Sequence, residues 1–244
     1  MVRLWLTSVP DEEFDEKVND INTLYKKAPE LDQDGEAVIS TDELTGVQAL
    51  ERIYPGLPMA PGKIELREFG YIRHGTTSFI VNFVVASGKI SNISYGSTRN
   101  EKDFMEHIQE TVERNPFVAK WHFIADNLST HKSESLVRYV ADKSDLNIDL
   151  GIKGKSGILQ SLETRSAFLS DPTHKIVFHY TPKHASWMNQ IEIWFSILAR
   201  KVIKRGNFTS VCDLINKILS FTRYFNQTMA KAYKWTYQGK ALAA

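Results

Sequence analysis

Three carboxylates in this chain stand where a charge is expensive. Asp42 closes the short apolar run 37–42, and Asp126 closes the apolar stretch 118–126. Glu192 falls one turn or so inside a segment whose apolar residues recur at helical spacing. A strand buried in a sheet does not carry a lone acid without a reason, because burying an unpaired charge is costly. Three acids brought into one site repel one another, and a divalent cation supplies the missing counter-charge. Carboxylate oxygens suit hard cations such as Mg²⁺ or Mn²⁺. Two such ions about 3.5–4 Å apart stabilise both the attacking and the leaving oxygen of a phosphoryl transfer. The plainer readings are that Asp42 caps the following turn and that Glu192 is the solvated flank of a helix.

The elements that must position these groups follow from periodicity. Ile191, Trp194, Phe195, Leu198 and Val202 mark one apolar helix face beside Glu192, after a turn at Pro182. Upstream of it, residues 175–179 read as a strand. Residues 10–28 read as a helix with Phe14, Val18, Ile21 and Tyr25 on one face, acids in its first turn and Lys26 and Lys27 in its last. A polar loop at 29–36 contains Pro29 and Gly35. The run 55–63 holds three prolines and two glycines and reads as a loop. Strands are expected at 63–73, 76–86 and 89–95, joined as antiparallel hairpins. Helix 100–114, strand 118–127 and helix 132–142 then alternate, which predicts a parallel part of the sheet with its site at the C-terminal strand ends. Residues 143–173 read as a long loop with a short helix at 158–169, and 210–225 as a last helix. The fold class is therefore α/β, a mixed sheet flanked by helices.

Composition is that of an ordinary globular chain of 244 residues. No run of 18 apolar residues offers a membrane span, and no signal peptide stands at the N-terminus. Cys212 is the single cysteine, so no internal disulfide or cysteine-based zinc cluster forms. Its neighbours Val211, Leu214 and Ile215 predict a buried thiol. Net charge is +1 but unevenly spread. Residues 1–45 carry 4 Lys/Arg against 12 Asp/Glu, and residues 182–244 carry 10 against 2. Either the basic end faces a polyanion, or the acidic start packs against it.

Several stretches resemble the catalytic domain of bacterial insertion-sequence transposases related to the mariner superfamily, the DDE group. They are Ser40-Thr-Asp42-Glu43 through Arg52, Arg73-His74-Gly75-Thr76, Asp126-Asn127 through His131-Lys132, and Thr181-Pro182 through Phe195. Arg205-Gly206-Asn207-Phe208 and Lys234-Trp235-Thr236-Tyr237 also fit, and the block Ser186-Trp187-Met188-Asn189-Gln190-Ile191-Glu192 is the most specific. The resemblance implies a ribonuclease-H-like fold, with Asp42, Asp126 and Glu192 as ligands of Mg²⁺ or Mn²⁺. It implies hydrolysis of DNA at transposon ends and attack of the freed 3′-hydroxyl on target DNA. It further implies a homodimer that pairs two ends, and a cytoplasmic, nucleoid-associated protein. Residues 1–36 read as a linker helix region and 37–244 as the catalytic domain. A separate DNA-recognition domain of helix-turn-helix type, usual in the family, is expected to be missing from this chain. Asp126 and Glu192 stand 66 positions apart, a long spacing for the group, and the surplus lies in 143–173.

Other residues carry two readings each. His131 and Lys132 contact a phosphate, or His131 caps the next helix. Glu43 points away from Asp42 if the strand continues. Asn127 is a candidate to orient Asp126 or the nucleophile. Asn189 and Gln190 contact DNA or cap the helix. Lys183, His184, Lys201, Lys204 and Arg205 follow a DNA backbone or form a solvated basic face. Trp187, Trp194 and Phe195 read as core. Two other functions share these features. One is a non-catalytic nucleic-acid-binding remnant, and the other is a general ribonuclease-H-like nuclease.

Overall fold

A computed structural model describes residues 13–66 and 68–237. Five strands form one sheet in the order β3-β2-β1-β4-β5. They are β1 (Glu36–Arg52), β2 (Tyr71–Val84), β3 (Lys89–Gly96), β4 (Lys120–Ala125) and β5 (Ile176–Tyr180). β1, β2 and β3 pair antiparallel, whereas β4 runs parallel to both β1 and β5. This is the mixed sheet of parallel and antiparallel strands that the sequence leads one to expect.

The helices are α1 (Phe14–Gln33), α2 (Glu101–Glu113), α3 (Glu134–Lys143), α4 (Leu162–Leu169), α5 (Ile191–Leu198) and α6 (Val211–Thr228). They cover both faces of the sheet. Alternation along β1 sends Val38 into the core shared with α1, α5 and α6, and Ile39 into the core shared with α2, α3 and α4. Caps fix several helix starts. Asn100 accepts from the N–H groups of Lys102 and Asp103, and Ser210 accepts from that of Asp213.

Some boundaries differ from those read in the sequence. α1 runs through Pro29 to Gln33, because Ala28 and Leu31 still pack on the core beyond Lys26 and Lys27. The expected helical positions 10–12 lie outside the described residues. β1 does not stop at Asp42 but continues to Arg52 against β2, shifting register between Leu44 and Val47 around Gly46, whose φ is 63°. The strand expected at 63–73 and its hairpin with 76–86 do not form: residues 71–73 open β2, which runs unbroken to Val84 and pairs with β1 instead, so of the expected hairpins only that with β3 exists. Before β2, residues 53–66 and 68–70 lie outside the sheet, with isolated bridges such as Leu57 with Leu66, and Phe69 is 90% exposed. The segment read as helix 132–142 is a 3₁₀ turn (Ser129–Lys132) followed by α3. α5 gives way to a π turn at Ala199–Ile203. Cys212 is exposed rather than buried, since Leu214 and Ile218 define the buried face of α6 and Cys212 lies off it. Among the described residues no helix is long and apolar enough to cross a membrane.

Candidate active site

The register of the two central strands places the aspartates. β1 and β4 pair in parallel from Glu36 with Lys120 to Ser40 with Ile124. Asp42 and Asp126 each follow that last pair by two residues, so equal steps along neighbouring strands carry both to the same edge. Parallel neighbours lie about 4.8 Å apart, which brings two carboxylates side by side. Asp42 remains within β1, paired to Val81 of β2, so one flank of it is rigid.

Asp42 is 6% exposed. Burial, and next the neighbouring Asp126 carboxylate, push its pKa up to about 7, against the N–H that Glu43 donates to it at 2.8 Å. Asn189 fixes the other side. Its amide donates to Thr41 O at 2.8 Å and to Asp42 Oδ2 at 3.3 Å, and its Oδ1 accepts from the Ser40 hydroxyl. Ser40 Oγ in turn accepts from the Ile191 N–H at the start of α5 (2.9 Å). The Tyr25 hydroxyl, from α1, donates to Met188 O and accepts from the Gln190 N–H. These buried bonds tie the entry of α5 to β1. Trp194, fully buried, and Ile191 anchor the same helix on the sheet.

That docking delivers Glu192. It is half-buried, and its pKa is raised by burial and then by Asp126, with a hydrogen bond to Asp42 opposing. Glu192 is thus hydrogen-bonded to Asp42 and feels the charge of Asp126, although the three carboxylates come from a strand, the residue after a strand and a helix. They form an oxygen-only set, suited to Mg²⁺ or Mn²⁺. Among the described residues, no three His, Cys, Asp or Glu side chains close tightly enough to form a complete metal cage.

Asp126 has a partner the sequence did not disclose. His131 Nδ1 lies 2.8 Å from Asp126 Oδ1 and 3.1 Å from Asp126 O, and its Nε2 lies 3.1 Å from Glu43 Oε1. Both ring nitrogens face acceptors, so both act as donors and the ring is an imidazolium. Burial favours the neutral ring, but Asp126 and Glu43 outweigh it and push the pKa up to about 10. Phe104 of α2 packs on the ring with centroids 4.1 Å apart, and the Tyr180 hydroxyl donates to His131 O at 2.9 Å.

These contacts correct the reading of His131 as a phosphate contact, because its side chain is 0% exposed and occupied at both ends. Glu43 points away from Asp42, as strand alternation requires, and there it meets His131. Lys132 donates to Asn127 Oδ1 and sits 4.5 Å above the Tyr180 ring. Lys183 and His184 are exposed and line a groove of about 1320 Å³ with Asn127 and Lys132. Glu16 and Asp20 of α1 line it too, so the acidic start does meet basic residues here. Lys201, Lys204 and Arg205 are exposed at and beyond the π turn, and do not line that groove. Asn189 and Gln190 are buried, which favours their structural reading. Trp194 and Phe195 are core, but Trp187 is 50% exposed and meets Tyr237 edge-on.

The family model of the DDE superfamily endonucleases matches residues 37–215. No curated protein sequence matches the chain significantly. Among solved structures, the chain is similar to the catalytic domain of Mos1 mariner transposase at 10% identity, covering 90% of this chain and 85% of that one, with a TM-score of 0.49. It is similar to the same catalytic domain with Raltegravir and Mn at 9% identity, covering 89% and 85%, with a TM-score of 0.49. It is also similar to the Mos1 strand transfer complex at 10% identity, covering 91% of this chain, with a TM-score of 0.48. This chain spans 58% of the transposase chain in that complex.

Proposed function

The chain belongs to the DDE superfamily of endonucleases, and we propose that it is a transposase catalytic domain that cuts and joins DNA at transposon ends. Asp42, Asp126 and Glu192 would hold Mg²⁺ or Mn²⁺, with a side-chain rotation at one carboxylate completing the shell. The observation that supports this reading is the β1–β4 register, which carries Asp42 and Asp126 to one edge of the sheet, with Glu192 hydrogen-bonded to Asp42. Bound metal would neutralise charge on the phosphate and acidify the attacking water or 3′-hydroxyl.

The protein's own groups set the geometry of that step. Asp42 is fixed by the rigid strand pairing with β2 and by the Asn189 amide. Asp126 is held by His131. Glu192 arrives on a helix whose entry is tied to β1 by Ser40 and Asn189. Lys183 and His184, which line the groove beside Asn127, would take backbone phosphates in a salt-sensitive, sequence-independent way. Residues 37–244 form the catalytic unit in this reading, with α1 built into the same core and 143–173 as an inserted loop around α4. Joining two transposon ends calls for two copies.

The test is nicking of end-bearing duplex DNA by the purified chain with Mn²⁺ or Mg²⁺. Activity that needs the metal and disappears in Asp42→Asn, Asp126→Asn and Glu192→Gln supports the reading. Undiminished nicking by Asp126→Asn sinks it. A general nuclease would instead cleave RNA–DNA hybrids without end-bearing DNA. A non-catalytic remnant would bind DNA and cut neither substrate, yet it would have no reason to keep all three acids converging.

A further inference from the structure

The β1–β4 ladder stops at Ser40 and Ile124, two residues before the aspartates it serves. Past that point the strands go separate ways. β1 continues against β2, while the chain after β4 turns into the 3₁₀ segment at Ser129–Lys132. Something other than ladder hydrogen bonds must hold the two acid-bearing ends at a fixed spacing. His131 lies at that gap. One ring nitrogen meets Asp126 on the β4 side, and the other meets Glu43, the neighbour of Asp42 on β1.

We propose that Glu43 and His131 form a staple that positions Asp126 and sets its distance from Asp42, so that the pair presents a preformed site to a divalent cation. The inference rests on the metal-site reading above and adds two positioning residues to it. Neither residue touches the reacting atoms.

The staple is built as a rigid part. The imidazole is wholly buried and is packed by Phe104. Its backbone is fixed by the Tyr180 hydroxyl from β5, the strand next to β4. The following residue is held as well, since Arg165 Nε donates to Lys132 O at 2.7 Å. The ring therefore cannot swing away without disturbing three elements. Partners that orient a metal ligand in this way typically contribute 10–100-fold to metal affinity. A preformed pair also spares the ordering cost that a mobile carboxylate would bear on binding. Glu43 has a distinct share in this arrangement. It gives the far end of the ring an acceptor, so the imidazole is aimed from both sides.

The experiment is calorimetric titration of Mn²⁺ into the full chain, with folding checked by circular dichroism and melting temperature measured in EDTA. His131→Ala should weaken Mn²⁺ binding roughly 10–100-fold, and Glu43→Ala should weaken it several-fold. In a double-mutant cycle, Glu43→Ala should cost nothing further once His131 is Ala, because Glu43 acts through the ring. Folded single variants that bind Mn²⁺ with wild-type affinity overturn the staple. So does a Glu43→Ala loss that persists undiminished in the His131→Ala background, since Glu43 would then act on the cation by its own charge. If His131→Ala does not fold, Glu43→Ala alone decides by the same criterion. Asp126→Asn separates the two levels. Loss of Mn²⁺ binding there with no effect in the staple variants overturns the staple and leaves the metal site. Wild-type Mn²⁺ affinity in Asp126→Asn overturns the metal site and the staple with it.

Discussion

His131 and His107 are equally buried, and the two regions around them hold the rings in opposite charge states. At the cleft, Asp126 and Glu43 outweigh burial and keep His131 protonated. On the α2–β3 face, His107 meets the Ser94 hydroxyl at 2.7 Å and has no carboxylate bonded to it, so burial pushes its pKa down to about 3. Phe104 and His107 share one helix, α2, and Phe104 is the ring that packs on His131. One element thus borders both regions. The contrast teaches that burial alone does not mark a functional residue. The cleft differs in gathering charge directly on the ring, with carboxylates at both nitrogens of His131, whereas the His107 ring meets only the neutral Ser94 and Asn92 side chains, and the Glu110 carboxylate bonds to Asn92 rather than to the ring. That is the arrangement expected where charge is to be managed during a reaction.

The contrast is sharpest in activity. Replacing Asp42 or Asp126 by Asn should cut metal-dependent nicking by at least about a thousandfold, roughly 4 kcal/mol of barrier. His107→Gln should leave the rate within a few-fold of wild type in the same assay. A comparable loss in His107→Gln would erase the distinction between the regions. The next effect is on stability and is shared. Phe104→Ala removes the fully buried ring that packs on His131 from the helix bordering both regions, and should cost about 3–5 kcal/mol in urea denaturation.

A further separation is by pH. The unfolded pKa of His107 lies at its ordinary value of 6.5, and the folded value near 3. Between those values the unfolded chain takes up a proton that the folded one refuses, so stability is lost as pH falls from about 6.5 toward 3. The wild type should lose up to about 4 kcal/mol more over that range than His107→Gln, given 1.36 kcal/mol per unit. His131 has the opposite sign. Its folded pKa is raised, so its contribution is full below 6.5 and is lost as pH rises through about 10. Equal acid sensitivity in wild type and His107→Gln would contradict the neutral assignment. The smallest effect is at the groove, where Lys183→Ala should lower the slope of log affinity for duplex DNA against log salt by about 1.

How much of this the sequence disclosed depends on whether the cause was local. The parallel part of the sheet and the β2–β3 hairpin are legible because apolar runs and turn residues mark them directly, whereas the hairpin expected between 63–73 and 76–86 is replaced by pairing of β2 with the long β1. The three carboxylates were legible as acids at costly positions, and the resemblance of the surrounding blocks named them as a set. Asp42 was placed at a strand end, yet β1 runs on for ten residues. Gly46 and the polar residues near it hide the continuation, which only pairing with β2 sustains. Cys212 was assigned to the core from its apolar neighbours, although helical rotation turns it outward. His131 is named from the sequence, but its bridging of Asp126 and Glu43 is not legible there. Nothing within the run Asp126 to Lys132 signals that Glu43, 88 positions earlier, waits on the other side of the ring. Alternation told that Glu43 faces away from Asp42, but the partner it meets there is fixed by tertiary structure alone.

The account rests on three carboxylates from separate elements closing on one cation. A crystal structure of the chain grown or soaked with Mn²⁺ tests that most directly. The prediction is Mn²⁺ bound by oxygens of Asp42, Asp126 and Glu192 at about 2.1 Å, near the distance for hard octahedral ions, with His131 still bridging Asp126 and Glu43. Mn²⁺ bound elsewhere, or a cleft in which Glu192 stays away from an ion held by the aspartates, would contradict it.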